Sequence, residues 1–173
     1  VGALAATLVL GTAAPAVAES GSYRDPADAA ASLNDVRRVD VAHQQGPLRV
    51  RVRVSDLRAI SDAGPASLAL WVDTDRTTRG PDLRLATGLQ SGTDYQLVRT
   101  VGWKATSKPL TCAHSVRLRP GKDVAVLRLS RACLGDTDAV RVAVLMVDEY
   151  DASHPVRDWL GARRSFTPWL DRG

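Results

Sequence analysis

Leu48-Arg49-Val50-Arg51-Val52-Arg53-Val54 decides the fold class. Aliphatic residues and arginines alternate along it without a break. A repeat of two places one set on a core and the other in water, as in a half-buried β-strand. Just upstream, Val39 and Val41 alternate with Arg38 and Asp40, and His43-Gln44-Gln45-Gly46-Pro47 joins the two runs as a hairpin. If His43 stands opposite Leu48, Asp40 faces Arg51 across the ladder, which gives Arg51 a structural role.

The same reading extends outward. Ser67–Asp73 is a strand with Leu68, Leu70 and Val72 on one face and Trp71 and Asp73 on the other. Thr74–Pro81 is a loop and Asp82–Leu89 a return strand. Thr93–Thr100 and Leu110–Leu118 follow, the latter carrying Cys112. Pro120-Gly121-Lys122 is a turn, and Asp123–Leu129 leads to Cys133. Ala139–Val147 is apolar on both faces apart from Arg141, so it is central in a sheet or lies beneath another layer. No long amphipathic helix is evident. The expected fold is all-β: a single-domain, jelly-roll-like antiparallel β-sandwich over residues 35–173. Trp159, Phe166 and Trp169 are expected to close one end of the sandwich as packing anchors.

Val1–Ala18 is uncharged and ends Ala16-Val17-Ala18 before Glu19, the small-x-small pattern cut by signal peptidase. The row opens on Val1 with no basic region, so it reads as a signal peptide truncated at its start; an uncleaved anchor is the alternative. No Cys follows the cut, which argues against a lipoprotein. The expectation is a secreted protein, extracellular or associated with the cell envelope, with mature residues 19–173. Residues 19–34, polar and small, read as a flexible lead-in.

The net charge is +4, with acidic and basic residues interspersed and no Lys/Arg block. That argues against nucleic acid as a partner and fits mild attraction to an anionic cell wall. In an exported chain Cys112 and Cys133 most simply form a disulfide, closing a loop worth roughly 3 kcal/mol. A metal site or catalytic thiol there has only His114 nearby.

Three constellations carry chemistry. In Trp71-Val72-Asp73-Thr74-Asp75 through Gly80-Pro81-Asp82, the carboxylates of Asp73, Asp75 and Asp82 supply hard oxygens for calcium. The spacing is not that of an EF-hand, and Arg76 and Arg79 oppose a dication. The competing reading is a turn capped by its own aspartates. Trp71, Tyr95 and Trp103 form an aromatic platform of the kind on which sugar rings stack; the competing reading is half-buried packing. For catalysis there are three histidines, without a Gly-x-Ser-x-Gly elbow or a His-Glu-x-x-His pair. Ser153 and His154 with a nearby Asp, or the acids Asp148, Glu149, Asp151 and Asp158, are weighed against a solvated acidic loop. The stripe Arg49, Arg51, Arg53 suits a polyanion or merely a wet sheet face.

Trp71-Val-Asp-Thr-Asp with Gly80-Pro81-Asp82, Gly92-Thr93-Asp94-Tyr95 before Gly102-Trp103, Ala132-Cys133-Leu134-Gly135, and Asp158-Trp159 to Phe166-Thr-Pro-Trp169 together resemble the small exported β-sandwich proteins of actinobacteria. In layout the chain is similar to carbohydrate-binding-module and DOMON-like sandwiches. Haem is not carried over, because the one methionine, Met146, alternates inward on an apolar strand. The expectation is a non-catalytic, monomeric binding module for an extracellular glycan or cell-wall polymer, assisted by calcium at Asp73/Asp75/Asp82. A structural or protein-interaction module is the alternative, and a secreted hydrolase comes third.

Overall fold

The structure is a computed structural model that describes residues 19–60, 65–135 and 137–173. The expected signal peptide, residues 1–18, lies outside the described residues. The strands in chain order are β1 (Glu19–Arg24), β2 (Val36–His43), β3 (Leu48–Val54), β4 (Ala66–Asp73), β5 (Leu83–Gly88), β6 (Tyr95–Val101), β7 (Lys104–Pro109), β8 (His114–Arg119), β9 (Val124–Leu129), β10 (Ala139–Asp148), β11 (Val156–Trp159) and β12 (Leu170–Asp171). A single helical turn, Arg131–Leu134, follows β9. The strands make two antiparallel sheets. One has the order β1-β2-β3-β9-β8; the other runs β11-β10-β4-β5-β6-β7, with β12 also on β10.

The two sheets face each other across one core. Val39 and Val41 of β2, Leu48, Val50 and Val52 of β3, and Leu127 and Leu129 of β9 meet Leu68, Leu70 and Val72 of β4, Leu83 and Leu85 of β5, and Val142, Val144 and Met146 of β10. Each strand contributes alternate residues, as the period-two pattern requires. The β2–β3 hairpin has the register read from its sequence, with Asp40 opposite Arg51. The nearest cation to Asp40 is nevertheless Arg38, at 2.7 Å on its own strand.

Residues 19–34 depart from the expected lead-in. Glu19–Arg24 pairs along its whole length with β2 as an edge strand. Its Ser-Gly-Ser composition hides it, because an edge strand is held by backbone bonds and needs few apolar side chains. Strand β7, Lys-Ala-Thr-Ser-Lys-Pro, is a second polar edge. Cys112 precedes β8 rather than lying in it, and bridges to Cys133 in the helical turn, Cα–Cα 5.4 Å. The bridge ties together the open end of the β8–β9 hairpin.

The C-terminal segment runs along the free edge of β10. β11 pairs with it over Leu145–Asp148, Leu160 N–H donates to Val144 O, Thr167 N–H donates to Val142 O, and β12 pairs with Ala139 and Val140. Between Leu160 and Thr167 the chain leaves this edge as a loop, with Gly161 at φ 69° and Arg164 at φ 60°. At the far end, His43 is wholly buried; its Nδ1–H donates to Leu170 O at 3.1 Å and its Nε2 has no partner.

Replacing both cysteines, Cys112→Ala/Cys133→Ala, is expected to lower stability by about 3 kcal/mol in urea unfolding, through a looser unfolded chain. Burial holds the His43 imidazole below its usual pKa. The unfolded state therefore takes up a proton that the folded state resists, and stability falls as pH drops below about 6.5. An NMR titration of His43 checks the direction, and His43→Gln removes this part of the pH dependence.

Candidate functional site

The outer face of the β10–β4 pair is built from small residues beneath large ones. Ala143 of β10 stands directly opposite Trp71 of β4, and Trp71 stands opposite Arg84 of β5. Ala69, Trp71 and Ala143 are buried, with Trp103, Trp159 and Phe166 packed against them. The methyl side chains leave room for the rings to lie over the sheet.

Each ring arrives from a different element. Trp71 and Trp159 are outward residues of β4 and β11. Trp103 sits at the tip of the β6–β7 hairpin, where Gly102 takes φ 56° as the first of two loop residues. A Cβ on Gly80 would lie 3.2 Å from Gly102 Cα, so the Asp-rich loop closes directly on that tip. Phe166 comes from the loop that leaves the β10 edge. Trp103 is the hub: its centroid is 5.4 Å from Trp71, 5.6 Å from Trp159 and 5.0 Å from Phe166.

Guanidinium groups stack into this layer. Arg84 lies 5.3 Å from the Trp71 centroid and Arg164 5.8 Å from that of Trp103. Arg141 lies 4.5 Å from Phe166 and 4.7 Å from Trp169, whose ring also carries Arg76 at 4.7 Å. Such contacts contribute about 0.5–1 kcal/mol each where exposed. Beside the rings opens a cleft of about 500 Å³, lined by Trp71, Trp103, Leu145, Trp159, Arg157, Arg163 and Arg164. Its walls are aromatic and its charged groups are arginines.

The expected platform is thus assembled in part. Trp71 and Trp103 share the cleft; Tyr95 does not. Val98, opposite Arg84, is on the outer face of β6, and Tyr95, three residues away, is on the other. Its ring packs edge-on to His114 of the other sheet, at 5.7 Å. Trp159 lines the cleft and Phe166 packs behind Trp103 on the outer face of the sheet, so neither plugs the end of the sandwich. The pair Arg163-Arg164 among C-terminal aromatics was the sequence signal for this wall.

The three aspartates expected to hold calcium turn to separate partners. Asp73 is fully buried and accepts from Arg141 Nε at 2.8 Å and Nη2 at 2.6 Å, its cross-strand neighbour. Burial raises the pKa of this carboxyl against the pull of Arg141. Asp82 Oδ2 accepts from Thr74 N at 2.7 Å and Oγ1 at 2.8 Å. Asp75 Oδ1 accepts from Thr77 N at 2.8 Å and Oγ1 at 2.6 Å. The loop is self-capped, with a guanidinium where a dication would compete. That corrects the reading of Asp73, Asp75 and Asp82 as one cluster.

The acidic residues weighed for hydrolysis also separate. Asp148 and Asp158 are buried, whereas Glu149, Asp151 and His154 are exposed. Ser153 Oγ and Asp151 Oδ2 both contact His154 Nδ1, at 2.9 and 3.0 Å. A triad needs the hydroxyl on one ring nitrogen and the carboxylate on the other. Arg49, Arg51 and Arg53 lie on the outer face of the five-stranded sheet, away from the cleft.

No protein-family model, curated protein or solved structure matches the chain. The chemistry of the site therefore rests on its own residues.

Removing Arg141 leaves Asp73 buried and unpaired. Arg141→Met is expected to cost about 3 kcal/mol in chemical denaturation, and Asp73→Asn on that background to restore part of it.

Proposed function

We propose that this chain is an exported, jelly-roll-like β-sandwich that binds an anionic extracellular glycan or cell-wall polymer without catalysing its turnover. The observation that carries the reading is the cleft between Trp103, Trp159 and the Arg157, Arg163 and Arg164 side chains. Ring faces offer an apolar surface to the C–H side of a sugar, and guanidinium groups recognise carboxylate or phosphate by paired hydrogen bonds. The bridge between Cys112 and Cys133 suits an oxidising compartment. No helix among the described residues is long and apolar enough to cross a membrane.

The outer face of the other sheet adds long-range attraction. Arg24, Arg38, Arg53 and Arg119 fall in one row across it, Arg51 and Arg117 in the next, and Arg49 and Arg128 in a third. Positive potential of this extent raises the local concentration of a polyanion, while the cleft supplies the fitted contacts.

Retention on immobilised polygalacturonate, compared with neutral dextran, tests the reading. Trp103→Ala and the double change Arg163→Ser/Arg164→Asn are each expected to weaken retention about tenfold or more, the cost of losing a buried aromatic or arginine anchor. Asn suits the left-handed backbone at Arg164. Arg53→Ser/Arg128→Ser removes as many charges from the other sheet and, weakening only the long-range attraction, is expected to lower retention less than either cleft variant. Equal losses from both double variants would reduce the interaction to net charge and overturn the cleft.

A further inference from the structure

A group of carboxylates lies outside the cleft, at the end of the molecule where the segment after β1 meets β11. Asp25 follows β1, Asp28 lies three residues on, and Asp158 is in β11. One carboxylate oxygen from each lies within 4.8 Å of the others. Two oxygens that both sit 2.3–2.6 Å from one calcium ion are at most about 5 Å apart, so a single ion spans this group.

The two inner members are bound crosswise. Asp25 Oδ1 accepts from Gly161 N at 2.6 Å, and Asp158 Oδ2 accepts from Val36 N at 2.6 Å. Each carboxylate thereby points into the space between the segment before β2 and the segment after β11. Asp25 is 8 % exposed and Asp158 3 %, yet Asp25 Oδ2 is buried with no protein partner. A buried carboxylate oxygen without a donor is costly. Neighbouring acids do not share the defect. Asp148 accepts from Ser32 Oγ at 2.5 Å and Tyr150 N at 3.0 Å, and Asp35 is paired with Arg37 at 2.8 Å. Arg37, already committed to Asp35, does not serve the group. Among the described residues no lysine or arginine forms a salt bridge with Asp25, Asp28 or Asp158.

We propose that Asp25, Asp28 and Asp158 form a calcium site that fastens the segment after β1 to β11. The orphaned Asp25 Oδ2 is one ligand, Asp158 supplies a second from inside, and exposed Asp28 closes the group from the solvent side. Water entering past Asp28 completes the six to eight oxygens that calcium takes; magnesium, which demands near-ideal octahedral geometry and holds its own water, fits less well. The site is independent of the glycan reading, since none of its ligands lines the cleft. The two are mechanically linked, because Asp158 precedes the cleft residue Trp159 and Asp25 anchors the start of the loop that carries Arg163 and Arg164.

Calorimetric titration of the EDTA-treated protein with calcium chloride, paired with melting curves, tests it. One ion per chain is expected, with a Tm rise of several degrees at millimolar calcium and a smaller one with magnesium. Asp158→Asn and Asp25→Asn keep an acceptor for the backbone N–H and relieve repulsion, so both are expected to fold at least as well without metal while losing the calcium response. Asp28→Ala, at the exposed position, is expected to weaken calcium binding about tenfold, and Asp73→Asn/Asp75→Asn to leave it unchanged. The absence of calcium heat and of a Tm shift in the wild-type protein would overturn the site. So would a calcium response that survives Asp158→Asn and Asp28→Ala.

Discussion

Strand β10 has to be covered twice, and much of the second sheet follows from that constraint. Its inner residues Val142, Val144 and Met146 meet the opposite sheet, while Ala143 on the other face is also wholly buried. Among the described residues no further sheet lies over that outer face. The cover comes instead from rings delivered by a neighbouring strand, a hairpin tip and the C-terminal segment. For the last of these, the chain pairs with the edge of β10, leaves it after Leu160, and rejoins it at Thr167. The cleft is the unfilled remainder of that cover. Trp71, Trp103 and Trp159 therefore line the cleft and cover the strand at once.

Arg141 shows how closely charge and packing are joined here. It is the one polar residue of Ala139–Val147 in β10. Its guanidinium meets the buried Asp73 carboxylate directly across the ladder, and its face lies against Phe166 and Trp169. The Asp-rich loop after β4 and the aromatic layer are therefore parts of one assembly. That loop looks like a cation site in one dimension because its aspartates are close in sequence. In three dimensions, Asx-type turns and an arginine take up the oxygens first. The acids that do converge, Asp25, Asp28 and Asp158, come from opposite ends of the chain.

The first hairpin, the strands of the core and the two-sided burial of β10 were legible because period-two alternation is a local signal. Asp40 opposite Arg51 followed from a hairpin loop whose length sets the register. Strands β1 and β7 were not legible, since edge strands made of Ser, Gly, Lys and Thr carry no hydrophobic pattern. The cleft was half legible. Trp71 could be placed on the outer face of its own strand, but whether Tyr95 or Trp159 joined it depends on strand order and register between segments far apart in sequence. The loop that swings Phe166 out from the β10 edge has no periodic signature at all.

On the five-stranded sheet, Val124 and Val126 point away from the core yet are only 2 % and 4 % exposed. Val124 stands between Arg53 and Arg119, and Val126 between Arg51 and Arg117. Arginines flank both valines, and their aliphatic stems are what shelters apolar surface at such positions; Arg51 is drawn in far enough that its Nε is itself buried. The same side chains thus supply both the cover of the sheet and its charge, so truncating one of them wets a valine as well as removing a positive group.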